Sequence, residues 1–156
     1  MTHSSTSSQS ANSAVKLVDA NVLLYAINED SPHHDSARRW LDLGLSGTET
    51  IGFAWVVLLA FLRLSTRPGL FPHPLSSTEA VRVTELWLSS PTAVVLNPID
   101  RHLGLLAGLV TESGTAGNLV NDAHLATLAL EHGAEVVSFD RDFTRFAGIR
   151  ASVPGS

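Results

Sequence analysis

The chain of 156 residues has no cysteine. That excludes disulfide scaffolds, cysteine zinc sites, iron–sulfur clusters and thiol nucleophiles. It has one lysine, Lys16, which stands in no glycine-rich loop, so a P-loop is excluded as well. Positive charge is scarce throughout: 10 Lys and Arg face 15 Asp and Glu, a formal charge of −5. Such a balance argues against a broad basic surface that holds nucleic acid by its net field. Long apolar runs are missing too. The longest, 53–62, is far short of the ~20 residues that cross a bilayer.

What is present suits a folded domain. Hydrophobic residues make up 44% and charged residues 16%, enough to build a core, and the length fits about one domain. Residues 1–14 are mostly Ser, Thr, Asn and Gln, without the apolar run of a secretory signal. They read as a flexible polar tail or a cloning remnant, ahead of a single domain over 15–156. The composition fits a soluble, cytoplasmic protein.

Apolar runs at 15–18, 50–53, 93–96 and 135–139 read as strands. Between them the periodicity predicts helices over 20–27, 33–45, 54–65, 76–88, 101–112 and 118–132. The 54–65 helix is almost wholly apolar and is expected to be buried. Ser76 and Glu79 form a capping-box pattern, and Gly133 marks a helix stop. The last residues, 151–156, are loose by composition. Strands alternating with helices predict an α/β fold with a mainly parallel sheet, whose ligands sit at the carboxyl ends of strands.

Several acids fall at that edge. Asp19 ends the first strand, and Asp140 and Asp142 follow the last one. Asp122 opens the 118–132 helix, with Asn118 on the same face at i−4. Each has an ordinary explanation: Asp19 and Asp142 as helix caps, Asp122 as an acid favoured by the helix dipole, Asn118 as a cap. Asn21 stands two residues beyond Asp19, where its side chain can address the same spot. Together the acids suit a hard divalent cation, which takes oxygen ligands and offsets their mutual repulsion. Such an ion activates water and stabilises charge in an in-line displacement at phosphorus.

At three places the sequence resembles the PIN domain, and within it the toxin ribonucleases of VapBC toxin–antitoxin pairs. The motifs are Leu17-Val18-Asp19-Ala20-Asn21-Val22-Leu23-Leu24-Tyr25-Ala26, Asn121-Asp122-Ala123-His124-Leu125-Ala126 continuing to Gly133, and Val137-Ser138-Phe139-Asp140-Arg141-Asp142-Phe143. The resemblance covers about 15–154. It implies a three-layer α/β/α fold in which Asp19, Asp122 and Asp140 are catalytic and bind Mg²⁺ or Mn²⁺. Asp142 would be a further metal residue, and Asn21, Asn118 and Ser138 would support the site. It also implies an RNA substrate such as tRNA or another structured RNA, a VapB-type antitoxin and a homodimer. Many relatives carry a Glu just before a Phe-Leu-Arg sequence; here Ala60 precedes Phe61-Leu62-Arg63, and a single metal is the expectation.

Arg63, Arg67 and Arg141, with Arg145, are the candidates for phosphate contacts, because a guanidinium fork matches phosphate oxygens. Trp40, Trp55 and Trp87 fall on apolar helical patterns and are expected in the core. His124 and His132 are too far apart along a helix to chelate zinc, and His124 at i+2 points away from Asp122. A haloacid-dehalogenase-like phosphatase also begins with a strand and Asp. It needs a second Asp where Asn21 stands and a later Lys, and this chain has neither. A non-catalytic PIN-like module that binds RNA or a protein partner is the alternative that Ala60 raises.

Overall fold

The computed structural model describes residues 15–113 and 119–155. The expectations for the 1–14 tail and for Asn118 lie outside the described residues. Five strands form one sheet: β1 (Lys16–Val18), β2 (Ile51–Phe53), β3 (Ala93–Val95), β4 (Glu135–Val137) and β5 (Ala151–Ser152). Their order is β3-β2-β1-β4-β5 and every pairing is parallel. The α/β expectation holds, and the sheet is parallel throughout.

Six helices connect the strands: α1 (Ala20–Ile27), α2 (His34–Ser46), α3 (Trp55–Ser65), α4 (Ser77–Leu88), α5 (His102–Ser113) and α6 (Leu119–His132). Leu17, Val18, Val136 and Val137 on the two central strands are fully buried. That is the mark of strands covered on both faces, and it explains their unbroken apolar reading. Gly52 allows β2 its place. A Cβ there would meet Leu96 Cδ1 at 2.7 Å and Val15 Cγ1 at 3.1 Å. Gly133 ends α6 at φ 61°, and Ala134 N–H closes the turn on the Ala129 carbonyl at 2.8 Å. The Ser76–Glu79 capping box forms at α4 with both hydrogen bonds.

Five expectations are corrected. Helix α3 is not buried all round: Trp55 is 52% exposed and Leu59 58%, whereas Val57, Leu58 and Phe61 pack inward. Trp55 therefore leaves the core, and Trp87 belongs to it, edge-on to Phe61 at 4.8 Å. Strand β4 stops at Val137, because Ser138, Phe139 and Asp140 turn aside to meet α1. The helix after it is a 3₁₀ turn, Arg141–Arg145, capped by Asp140 and not by Asp142. The chain end is not loose: Val136 N–H bonds to Arg150 O and Ser138 N–H to Ser152 O, adding β5 to the edge of β4.

Candidate active site

In this strand order the chain runs one way from β1 to β2 and β3, and the other way to β4 and β5. The switch lies between β1 and β4, where an open α/β sheet forms a crevice at its carboxyl edge. Asp19 stands at the end of β1, with its backbone N–H on the Val137 carbonyl at 2.9 Å. Its Oδ1 accepts from Ala20 N–H at 2.7 Å, so the capping role is real. Its Oδ2 accepts from the Ser138 hydroxyl at 2.7 Å.

Ser138 is the junction of the site. Buried at the end of β4, its Oγ also accepts from Asn21 Nδ2 at 3.0 Å and from Asp140 N–H at 2.9 Å. Asn21 Oδ1 accepts in turn from Phe139 N–H at 3.1 Å, and Asp140 Oδ1 accepts from Asp142 N–H at 2.8 Å. One hydroxyl thus ties the start of α1 to the turn after β4 and sets Asp19 beside Asp140.

Asp122 comes to the same place from the first turn of α6. A pocket of about 270 Å³ opens between α1, α3 and α6, lined by Asp19 and Asp122 together with Val56, Ala60 and Arg63. Burial pushes the Asp122 carboxyl up to about 6, and the negative charges of Asp19, Asp140 and Asp142 add to the rise, against Arg145. Burial also raises Asp19, opposed by its Ser138 and Ala20 hydrogen bonds and reinforced by Asp140. The structure therefore brings Asp19, Asp122, Asp140 and Asp142 into one field.

The remaining candidates divide. Arg63 lines the pocket; Arg67 and Arg141 are exposed outside its lining. Two residues that bear on the site are not among the sequence-derived candidates for it or have only a minor place there. Asn121 lines the pocket next to Asp122, and its signal is only that adjacency. Arg145 reaches Asp142 at 3.5 Å and acts on Asp122. His124 faces away from the acids, with its Nδ1 2.8 Å from His102 Nε2, while His102 Nδ1 meets the buried Glu131 at 2.9 Å. Lys16 sits at the opposite, amino edge, paired with Glu135 at 2.7 Å.

The raised Asp122 carboxyl has a measurable consequence. Its proton is held more tightly folded than unfolded, where the ordinary value is 3.8. Its ionisation thus removes stability as pH rises through about 6, and the full penalty is present above that. Asp122→Asn should then stabilise the metal-free protein at pH ~8 by about 1 kcal/mol, after allowance for solvent screening, with the gain fading near pH ~4. Urea melts in EDTA at the two pH values read this directly.

A fully parallel sheet with carboxylates gathered at its switch point defines an α/β domain with an oxygen-donor acidic site. The PIN domain family profile matches residues 16–149. The chain is 56% identical over 140 residues to ribonuclease VapC37 of Mycobacterium tuberculosis, covering 90% of this chain and 97% of that protein. It is 41% identical to ribonuclease VapC31 of the same species over 86% of this chain and 94% of the relative. Among solved structures, VapBC2 of Rickettsia felis bound to a promoter DNA fragment superimposes with a TM-score of 0.65 at 21% identity, covering 89% of this chain and 98% of that one. VapC20 of Mycobacterium tuberculosis, a sarcin–ricin loop cleaving toxin, gives 0.60 at 20% identity, covering 86% and 98%. The chain belongs to the PIN domain family, and within it to the VapC proteins.

Proposed function

We propose that the chain is the toxin of a type II toxin–antitoxin pair, a divalent-metal-dependent endoribonuclease that hydrolyses RNA phosphodiester bonds. The observation that carries this reading is the placement of Asp19, Asp122, Asp140 and Asp142 in one field, where burial first and the neighbouring charges second push Asp122 up to about 6. Carboxylates so crowded cost stability, and an oxygen-binding cation is the partner that relieves them.

Among the described residues, no three carboxyl or imidazole groups form a ready-made metal cage. The fit rests on the donor set, which is all oxygen and carries several negative charges, the chemistry of Mg²⁺ or Mn²⁺. Asp19, Asp122 and Asp140 would hold the ion, with Asp142 completing the acidic rim. When bound, the ion supplies an activated water and offsets charge on the phosphate.

The chain's own residues do the rest. Ser138 holds Asp19 Oδ2 through its hydroxyl proton, leaving Oδ1 shared with the α1 N-terminus. Asn21 fixes Ser138 and Phe139 together, so the two strand ends keep one spacing. Arg63, which lines the same pocket as Asp19 and Asp122, would receive a substrate phosphate, and the exposed Arg141 beside Asp140 would meet another. The family resemblance supports a VapB-type antitoxin that blocks the pocket, a homodimer, a structured RNA substrate and a cytoplasmic setting. No helix among the described residues is long and apolar enough to cross a membrane.

Ala60 lines the same pocket as Asp19 and Asp122. Ala60→Glu adds a carboxylate there and should tighten Mn²⁺ binding about tenfold or more, measured by calorimetry. Unchanged affinity would place the ion away from this wall. The biological reading is tested by expression in a bacterial host. Growth should arrest, and the product of the adjacent reading frame or Asp19→Asn should relieve it. Arrest that survives Asp19→Asn would point to a binding module in place of an enzyme.

A further inference from the structure

Three rings beside the acids take no part in the scheme above. His33, in the turn before α2, stacks on Phe139 with centroids 4.6 Å apart and planes at 29°. Tyr25 of α1, the chain's single tyrosine, meets Phe139 edge-on at 5.3 Å and 61°. It also lies 5.3 Å from His33 at 36°. Tyr25 and Phe139 are half-buried, while His33 is exposed.

Packing accounts for the first two rings, which tie α1 to the turn after β4. It does not account for His33. The His33 backbone N–H donates to Ser31 Oγ at 3.0 Å, but its ring makes no hydrogen bond among the described residues. An exposed imidazole laid against a half-buried aromatic face leaves an open stack with an N–H at its rim.

The stack is also keyed to the acids. Phe139 lies between Ser138, which donates to Asp19, and Asp140. The Phe139 N–H is held by Asn21, the same side chain that donates to Ser138. Any group placed on the stack is therefore held at a fixed offset from the carboxylates. Unpaired RNA bases stack on aromatic side chains, His included, and offer polar edges to nearby donors.

We propose that Tyr25, Phe139 and His33 form a stacking platform for an unpaired base flanking the phosphate to be cut, with His33 as the contacting ring. This rests on the nuclease reading and deepens it: the platform requires the substrate to be single-stranded beside the cut, in a loop or a bulge. A base fits better than an apolar peptide, which would find a larger apolar face on α3 at Trp55 and Leu59.

The test uses a short single-stranded oligoribonucleotide of mixed sequence and the same chain made abasic. Binding is followed by fluorescence anisotropy in EDTA, and cleavage separately in Mg²⁺. Stacking on one ring corresponds to roughly 5- to 150-fold in affinity. His33→Ala should weaken binding of the normal RNA by about tenfold or more and raise KM by a similar factor. His33→Phe should restore binding, His33→Leu should not, and the abasic chain should bind native and His33→Ala protein alike. Because His33 is exposed, these variants keep the fold, and thermal melts check it.

Native-like binding by His33→Ala, equal loss on abasic RNA, rescue by His33→Leu, or no RNA binding by the native chain would each overturn the platform. Loss of antitoxin binding with RNA affinity unchanged would overturn it too and give the rings to the protein partner. The two readings fail separately. RNA that binds through His33 but is never cut removes the nuclease alone, and cutting that ignores His33 removes the platform alone.

Discussion

Asp19→Asn and Asp122→Asn should each lower metal-dependent RNA cleavage by at least about a hundredfold while leaving the protein folded. Asn keeps the size of the side chain and one acceptor oxygen, which at position 19 can serve Ala20 N–H or the Ser138 hydroxyl but not both. What disappears is charge. Metal-ion catalysis draws several kcal/mol from stabilising charge in the transition state, so removing one anionic ligand costs a large share of it. The two variants should differ in stability. Asp122→Asn gains in EDTA, because it relieves the carboxyl that burial and its acidic neighbours push up to about 6. Single-turnover cleavage in Mn²⁺ and melts in EDTA, run on the same preparations, separate lost chemistry from lost fold. Cleavage within a factor of a few of the native rate would remove these acids from the mechanism.

Ser138→Ala should be the most damaging change to a residue that touches no substrate. It strips a donor from Asp19, and acceptors from Asn21 Nδ2 and Asp140 N–H, all at a buried junction. Leaving such groups unpaired costs about 1–3 kcal/mol of stability. Loss of a partner that orients ligands costs roughly 10–100-fold in metal affinity. Calorimetric titration with Mn²⁺ should show the weaker binding, and saturating Mn²⁺ should recover part of the cleavage. Asp19→Asn should not be recovered in that way, since its loss is of a ligand and not of its aim. A Ser138→Ala protein with native metal affinity would show that Asp19 is positioned by its own strand alone.

The parts of this architecture that were legible in the sequence are those where burial and chemistry coincide. Val15-Lys16-Leu17-Val18 stops at an acid because β1 is central and covered on both faces, so a carboxylate is tolerated only where the strand emerges. The same reasoning finds Asp140 after β4. Asp122 is visible only as an acid in a first helical turn, and its meeting with the others is a fact of tertiary structure. The misreadings have equally local causes. An α3 with apolar residues on every side carries no periodicity, so Trp55 and Leu59 could not be told from core positions. Strand β5 is Ala151-Ser152, too short and too polar to declare itself; the free edge of β4 makes it a strand. Arg145 stands among the sequence's arginine candidates, but its action on the acids is not legible there, since it depends on the 3₁₀ turn that carries it to Asp142.

The net charge of −5 is the sharpest case of location overriding total. Asp19 and Asp122 line one pocket and feel the charges of Asp140 and Asp142, and a cation bound there would reverse the local sign and receive a phosphate. An acidic chain can therefore handle RNA through one ion and a few directed arginines, without a basic surface.

The most direct measurement is cleavage of bacterial total RNA by the purified, antitoxin-free chain. Discrete fragments are expected in Mg²⁺ or Mn²⁺, none in EDTA, recovery when the cation is returned, and none from Asp19→Asn in any of these conditions. Cleavage that persists in EDTA and in Asp19→Asn, or intact RNA from the native chain with either cation, would contradict the metal-nuclease reading.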